Sequence, residues 1–185
     1  MMDKLSKKER LLVDMLKWIG AICIFSATTI LGFLFAKKNT DRVKILAEII
    51  SSLKMLEAEI MFSHSSLIDA AKKISTAFEG RVSQHYQLFS QKLTHNQTTV
   101  SSAWVESVRE AYNQSELEKP ECDILEHFAV NLGKHDRTTE KKQILFAITS
   151  LQRMEQQAIE KEKNNNRMFK SLGTLSGIAM IILLI

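Results

Sequence analysis

Two glutamates separated by one residue, Glu57 and Glu59, are the first candidates for chemistry, because paired carboxylates can share general acid and base work. Two positions along an α-helix correspond to about 200° of rotation, so the two side chains face opposite sides. They are not expected to serve one reaction centre. The simplest interpretation is that one is solvated and the other lies at the edge of the core beside a basic partner.

A second set of residues, Cys122, His127, His135 and Asp136, contains the types that bind metal ions. Cys122 and His127 are separated by about 140° of rotation on a helix, which is poor geometry for holding one ion. Surface positions for the histidines and a helix cap for Asp136 explain these residues better. We therefore expect no metal site and no cofactor.

The sequence contains no glycine-rich phosphate loop, no GxSxG turn and no zinc-type CxxC pair. Its net charge of +4 is spread along the chain, and no basic cluster is interleaved with aromatic residues, so no nucleic-acid partner is expected. The motifs indicate neither a catalytic residue nor a small-molecule substrate. A metal-dependent enzyme is accordingly the weakest hypothesis for this chain.

The elements that must position these residues are helices. With six Gly, one Pro and no alternating valine and isoleucine pattern, the composition favours an all-α fold. Between residues 39 and 167, apolar residues recur at the spacing of one helical face and predict a compact bundle of about six helices.

The helices of this domain have boundaries that the sequence signals. In chain order we predict Asp41–Phe62; a helix that Ser66 caps and Gly80 ends; Val82–Leu93; a helix that carries Trp104 and Tyr112; a helix that begins at Pro120 and is stopped by Gly133; and a final helix, Thr138–Ile185, capped by Asp136 or Thr138.

Two apolar segments flank the domain. Residues 18–36 carry no charge and would span about 28 Å as a helix, close to the roughly 30 Å hydrocarbon core of a bilayer. Residues 168–185 are apolar on every side and follow a polar neck, Glu160–Arg167. We predict a transmembrane helix in each segment, preceded by a flank at residues 1–17 in which Met15 is an alternative start. The rival interpretation of residues 18–36, a cleaved signal peptide, requires a shorter apolar run and a small-x-small cleavage site.

Small residues in both segments match a helix-packing motif. Gly173 and Gly177 are four residues apart in the second segment, and Gly32 and Ala36 repeat that spacing in the first. Small side chains at this spacing allow two membrane helices to approach closely. Glycine is also common in membrane helices, so ordinary composition explains the spacing equally well.

The basic residues that flank the two segments predict the orientation of the domain. Four follow the first segment and four precede the second or lie at its start, all on the domain side: Lys37, Lys38, Arg42, Lys44, Lys161, Lys163, Arg167 and Lys170. Because positive charge favours the cytoplasmic side, the central domain is expected to be cytoplasmic. The basic residues from Lys4 to Lys17 favour the opposite orientation for the first segment, and if translation starts at Met15 only Lys17 and the N-terminal amine do so.

Three stretches of the chain resemble one family. LEAEIMFSHSSLIDA (Leu56–Ala70), LGKHDR (Leu132–Arg137) and MFKSLGTLSG (Met168–Gly177) are similar, in this order, to the stage III sporulation protein AB family of endospore-forming bacteria. MLKWIGA, from Met15, resembles the start of that family, so the resemblance runs from about Met15 to Ile185. Ser66 departs from the pattern, because the family often has proline there, but serine can still begin a helix.

The resemblance implies a membrane component of the secretion apparatus between mother cell and forespore, located in the outer forespore membrane on the mother-cell side. It also implies a soluble domain similar to the cytoplasmic domains of F-type platform proteins of type II secretion, which lie between an ATPase and a channel. The partners it implies are the stage III AA ATPase, other proteins of the stage III A to Q channel complex, and membrane lipid.

The favoured hypothesis is therefore a non-enzymatic scaffold that couples an ATPase to a membrane channel. Five residues are expected to shape the domain or its contact surface: Glu57, Glu59, Gly133, Asp136 and Arg137. The alternative is a membrane-anchored sensor or regulator whose helical domain binds a soluble protein.

Overall fold

The computed structural model describes residues 26, 37–63, 65–95, 99–130, 132–133 and 137–184, and within the last helix it describes side chains at 139–165 and 168. Residues Asn39–Asn164 form one compact unit, and the remaining residues at the two chain ends are grouped separately.

The described residues form six α-helices and no strand. We number them α1 (residues 37–58), α2 (Leu67–Ala77), α3 (Gly80–Thr94), α4 (Val100–Ala111), α5 (Lys119–Ala129) and α6 (Arg137–Leu184). A five-residue π-helical segment, Glu59–Ser63, continues α1. The prediction of an all-α fold with about six helices in the central domain is confirmed.

Side-chain contacts show that helices α1 and α6 run antiparallel. At one end, Thr40 Oγ1 donates to Glu162 Oε1 at 2.6 Å, and at the other, Lys141 Nζ lies 3.7 Å from Glu57 Oε1. Helices α3 and α4 are antiparallel, because Arg81 near the start of α3 reaches the carbonyl oxygen of Ala111 and Lys92 near its end pairs with Glu106. Helices α4 and α5 are antiparallel as well, since Val100 at the start of α4 lies beside Gly133, which follows α5. The compact unit is therefore an up-and-down bundle.

The core of the bundle has an aromatic centre built mainly by α3 and α4. The ring of Trp104 packs edge-on against Phe89, Phe128 and His85, with centroids 5.0, 5.0 and 4.5 Å away. Its Nε1 donates to the Leu125 carbonyl oxygen at 2.9 Å, which ties α4 to α5. Helix α1 supplies the longest apolar face, since its side chains at Leu46, Ile49, Leu53 and Leu56 are almost completely buried.

His85 is the unusual member of this core. It is 2% exposed, and neither of its ring nitrogens has a hydrogen-bond partner. Burial lowers its pKa to about 4, so the imidazole is neutral at neutral pH. The neighbouring Tyr86 hydroxyl is likewise buried without a partner.

The predicted helix starts and ends are correct at some positions and wrong at others. Ser66 caps α2 as predicted, because its Oγ accepts from the Asp69 amide at 3.2 Å. Gly80 does not end α2; it is the first residue of α3, with φ +63°. Pro120 is the second residue of α5, after Lys119, and α5 ends at Ala129, before Gly133. Thr138 lies inside α6, since the helix begins at Arg137, so it is not the cap.

The two predicted transmembrane helices stay predictions. No helix in the part of the chain that the structure describes is long and apolar enough to cross a membrane. Residues 18–36 lie outside the described residues except at Ser26, and with them Gly32 and Ala36. Gly173 and Gly177 lie in the backbone of α6, which is helical as far as Leu184.

Candidate partner-contact surface

One end of the bundle, here called the far pole, collects two of the stretches that carried the family resemblance. The far pole consists of the end of α1 with the π-helical segment, Ser65 to Asp69, the turn at Leu132–Gly133, and the first turn of α6. Lys141 of α6 binds Glu57 of α1, and Glu140 of α6 accepts from the Gly133 amide at 2.8 Å. Two stretches that are some 75 residues apart in the sequence thus meet in space.

The π-helical segment gives the far pole an irregular, partly apolar surface. Insertion of one residue into an α-helix produces such a segment, and these insertions occur frequently at functional sites. Ile60 of the segment points into the core, whereas Phe62 is 80% exposed. The irregular turn therefore presents an aromatic ring at the end of a helix whose remaining apolar side chains are mostly buried.

Glu57 and Glu59 lie on different sides of α1, as the helical rotation predicted. Glu57 pairs with Lys141 of α6 at 3.7 Å, and Glu59 pairs with Lys73 of α2 at 2.9 Å. Ser65 Oγ also donates to Glu59. The hydrogen bond from Lys73 is the main cause of a lowered pKa for Glu59. The expectation that one glutamate is solvated is wrong, since both are half-buried and each has a lysine partner.

Gly133 is placed at a sharp turn before α6. Its φ is +77°, in the left-handed region that favours glycine. A Cβ at this position would lie 3.3 Å from both methyl groups of Val100. Gly133 therefore lets the turn pack closely on the start of α4 while its amide holds Glu140.

The other two predicted contact residues border this turn. Arg137 is the first residue of α6, so its backbone belongs to the far pole, although its side chain is outside the description. Asp136 lies outside the described residues. The structure thus brings Glu57, Glu59, Gly133 and the Arg137 backbone to one end of the bundle.

The metal-ligand candidates do not form a cluster in the described part of the chain. Cys122 is half-buried and His127 is exposed on α5, while His135 and Asp136 are outside the described residues. Burial raises the pKa of the Cys122 thiol.

The opposite end of the bundle, here called the entry pole, holds an ion-pair network that sequence reasoning missed. Arg42 of α1 donates from Nε and Nη2 to Glu121 Oε1 at 2.9 and 2.6 Å, and from Nη1 to Glu118 Oε1 at 2.6 Å. Lys161 of α6 adds a contact of 3.3 Å to the same Glu118 oxygen. The remaining oxygen of Glu121 accepts from the Glu118 amide at 2.6 Å.

This network is buried at its centre. Arg42 is 6% exposed and Glu121 is 0% exposed. Two charges can be removed from water in this way only when both are paired and their hydrogen-bonding capacity is nearly used. The sequence interpretation counted Arg42 and Lys161 only as charges beside a membrane segment. Glu121 stands in the first turn of α5, but nothing near it in the sequence identifies an arginine on α1 as its partner.

The two poles suggest different capacities. The entry pole joins the beginning and the end of the compact unit, because Thr40 contacts Glu162 there. The far pole lies away from both ends, with Phe62 exposed and its glutamates neutralised by lysines. This arrangement suits recognition of another protein better than it suits proton transfer between two carboxylates.

Comparisons with known proteins agree on one family. The family model described as stage III sporulation protein AB matches residues 17–185. A relative from Bacillus subtilis (strain 168), stage III sporulation protein AB, is 36% identical over 170 residues, which are 92% of this chain and 99% of the relative. A solved structure of stage III sporulation protein AB (SpoIIIAB) is 30% identical and has a TM-score of 0.64, covering 67% of this chain and 98% of that chain.

Proposed function

The chain belongs to the stage III sporulation protein AB family, and from that premise we propose that it is a non-enzymatic platform subunit of the sporulation channel between mother cell and forespore. In this role the helical domain, cytoplasmic on the mother-cell side, couples the stage III AA ATPase to membrane proteins of the channel. The match over almost the whole chain is the observation that carries the sporulation role.

The arrangement of the two poles supports anchoring of the domain by both of its ends. Thr40 and Glu162, close to the two limits of the compact unit, are joined by a hydrogen bond of 2.6 Å. A domain whose first and last residues are neighbours can be held on one surface by segments at both ends. The far pole is then free to meet a soluble partner.

The far pole supports the ATPase contact because two family-like stretches converge there. The π-helical segment, the Gly133 turn and the first turn of α6 are linked by Glu57–Lys141 and by the Gly133 amide to Glu140. These contacts hold the surface in one shape, and a preformed surface binds with less loss of conformational entropy.

Topology mapping combined with co-purification tests the proposal. Reporter fusions after Lys38 and after Ile185 are expected to place the domain in the mother-cell cytoplasm and to report the side reached by the C-terminus. Full-length protein purified from sporulating cells is expected to retain the stage III AA ATPase. A domain on the opposite side of the membrane would overturn ATPase coupling, and retention of a different soluble protein in place of the ATPase would favour the sensor or regulator hypothesis.

A further inference from the structure

An exposed face that runs along α5 and α6 is not used by either pole. On α5 and its C-cap residue Val130, which keeps helical backbone angles, the exposed residues Asp123, His127 and Val130 follow the spacing i, i+4, i+7, so they form one stripe. On α6 the exposed residues Phe146 and Arg153 are seven residues apart and also share one face. We call these residues together the lateral face.

The two stripes lie side by side on the bundle. Lys161 of α6 reaches Glu118 of α5, so it marks the side of α6 that faces α5. At about 100° per residue, Phe146 and Arg153 are turned by only about 60° and 80° from Lys161, toward solvent. On α5, Glu126 faces α4 through its surface pair with Arg109. The stripe residues are turned by about 40° to 100° from Glu126, away from the buried side chains of Leu125 and Phe128. Both stripes therefore lie on the solvent side of two helices that meet at both poles.

The lateral face carries exposed apolar side chains and unpaired charge of both signs. Phe146 is 74% exposed and Val130 is 49% exposed. Among the described residues, neither Asp123 nor Arg153 has an ion-pair partner, in contrast to Glu118 and Glu126 nearby. Each stripe thus combines one large apolar residue with one unpaired charge, negative on α5 and positive on α6.

The levels of these residues along the bundle match. Helices α5 and α6 run antiparallel, since Glu118 contacts Lys161 at the entry pole and Gly133 contacts Glu140 at the far pole. Interpolation between these two contacts, at 1.5 Å per helical residue, puts Asp123 at about the level of Arg153 and Val130 at about the level of Phe146. The negative charge therefore lies at the height of the positive one, and the two apolar residues lie at a common height.

From this match we propose that the lateral face binds a second copy of the chain around a two-fold axis parallel to the bundle. Such an axis brings α5 of one copy opposite α6 of the other at the same level. Asp123 then faces Arg153 and Val130 faces Phe146, and the symmetry makes each contact twice. The entry poles of both copies point in the same direction, as two copies held on one surface require. The dimer does not depend on the ATPase partner or on the sporulation role.

Photo-crosslinking of the full-length chain tests the dimer directly. The chain is produced in a bacterial host without other sporulation proteins, with a photoreactive phenylalanine derivative in place of Phe146. Irradiation is expected to give a product at twice the mass of the 21.1 kDa chain. No product at that mass, or a product with a host protein instead, overturns the proposal.

Charge reversals test the symmetry of the pairing. Asp123→Arg alone and Arg153→Asp alone are each expected to lower the crosslinked fraction at least about fivefold, because like charges then oppose each other at both contacts. Chains with one reversal, co-expressed under different tags with chains carrying the other, are expected to recover at least about half of the wild-type crosslinking, and only between the two tags. This recovery follows from the two-fold geometry, since both mixed contacts are again of opposite sign.

Matched reversals elsewhere provide the control. Glu79→Arg and Lys72→Asp make the same charge changes at exposed positions beside and on α2. They are expected to leave crosslinking within about twofold of wild type, and circular dichroism checks that all variants are folded. If the mixed reversals do not recover, or if the control variants lose as much crosslinking as the lateral variants, the assigned face is wrong.

Discussion

At the scale of single residues, Gly133 is the far-pole position where the backbone limits substitution most clearly. Gly133→Ala is expected to lower the free energy of unfolding by about 2 kcal/mol, since an L-residue at positive φ costs roughly 1–2 kcal/mol and the new methyl group would press on Val100. Chemical denaturation of the purified protein measures the loss.

Gly80→Ala is the matched control for that substitution. Gly80 also has positive φ, at +63°, but a Cβ there would have no atom within 4 Å. Its loss is expected to be smaller, at about 1 kcal/mol, because only the backbone term applies. Equal losses at the two positions would show that Val100 moves aside freely and that close packing at the Gly133 turn contributes nothing.

Arg42 is the residue whose removal is expected to cost most at the entry pole. Arg42→Met would leave Glu121 buried and without its cation, which typically costs about 3–5 kcal/mol. Arg109→Met, which breaks the exposed pair with Glu126, is expected to cost clearly less, because both side chains of that pair remain in contact with water. Urea denaturation compares the two variants. A loss at Arg42 no larger than that at Arg109 would mean that Glu121 finds water or another donor.

Residue roles were predictable where the contact is local and hidden where it is distant. The opposite directions of the Glu57 and Glu59 side chains follow from helical rotation alone. The N-cap role of Ser66 follows from the acidic residue, Asp69, three positions after it. The partner of Arg42 is 79 residues away, and that of Glu57 is on the last helix. Only the packing of whole helices creates such pairs, so a single sequence gave no reason to connect them.

At the scale of elements, the contact between α3 and α4 predicts a specific pH dependence. His85 is buried between these helices with a pKa of about 4, against an ordinary value near 6.5. Between these two pH values the unfolded chain binds a proton that the folded chain does not, so stability falls as the pH drops from about 6.5 to about 4. The full loss is of the order of 3 kcal/mol.

His85→Leu separates this effect from acid denaturation in general. The variant has no imidazole to protonate in the core, so its unfolding free energy is expected to change less between pH 7 and pH 4.5 than that of the wild type. His95→Leu, at an exposed position, is expected to keep the wild-type pH dependence. Unchanged pH dependence in His85→Leu would show that the imidazole is not the group responsible.

Helices were easier to predict than the points at which they begin and end. Apolar residues at helical spacing identified every described helix of the domain, because each one buries one face. Glycine commonly marks the end of a helix, which led to the prediction that Gly80 ends α2. A glycine with positive φ between two helices can equally begin the next one, as Gly80 does for α3. The π-helical segment at Glu59–Ser63 left no sequence signal, since one extra residue per turn only shifts the apolar pattern slightly.

At the scale of the whole molecule, alternation of helix direction produces the two poles. An even number of helices in an up-and-down bundle returns the chain to the end where it started, so the first described turn of α1 and the domain part of α6 both lie at the entry pole. The count of about six helices could be predicted, but the proximity of Thr40 and Glu162 follows only once the alternating direction of the helices is known. The structure was needed to show which surfaces meet at the far pole. The family resemblance identified the stretches of sequence but not their arrangement in space.

That separation of poles leads to a prediction for sporulation. Arg137→Glu reverses a charge at the first residue of α6 on the far pole, and it is expected to lower heat-resistant spore counts at least about tenfold, because a like charge opposing the partner weakens the contact. Lys92→Glu is a demanding control, because it breaks pairs with Glu106 and Glu110 and adds a third acidic residue beside them. It lies on the α3–α4 side and is expected to reduce spore counts by less than about twofold. Equal and mild effects would remove Arg137 from the contact surface, and a larger effect at Lys92 would move that surface to α3 and α4.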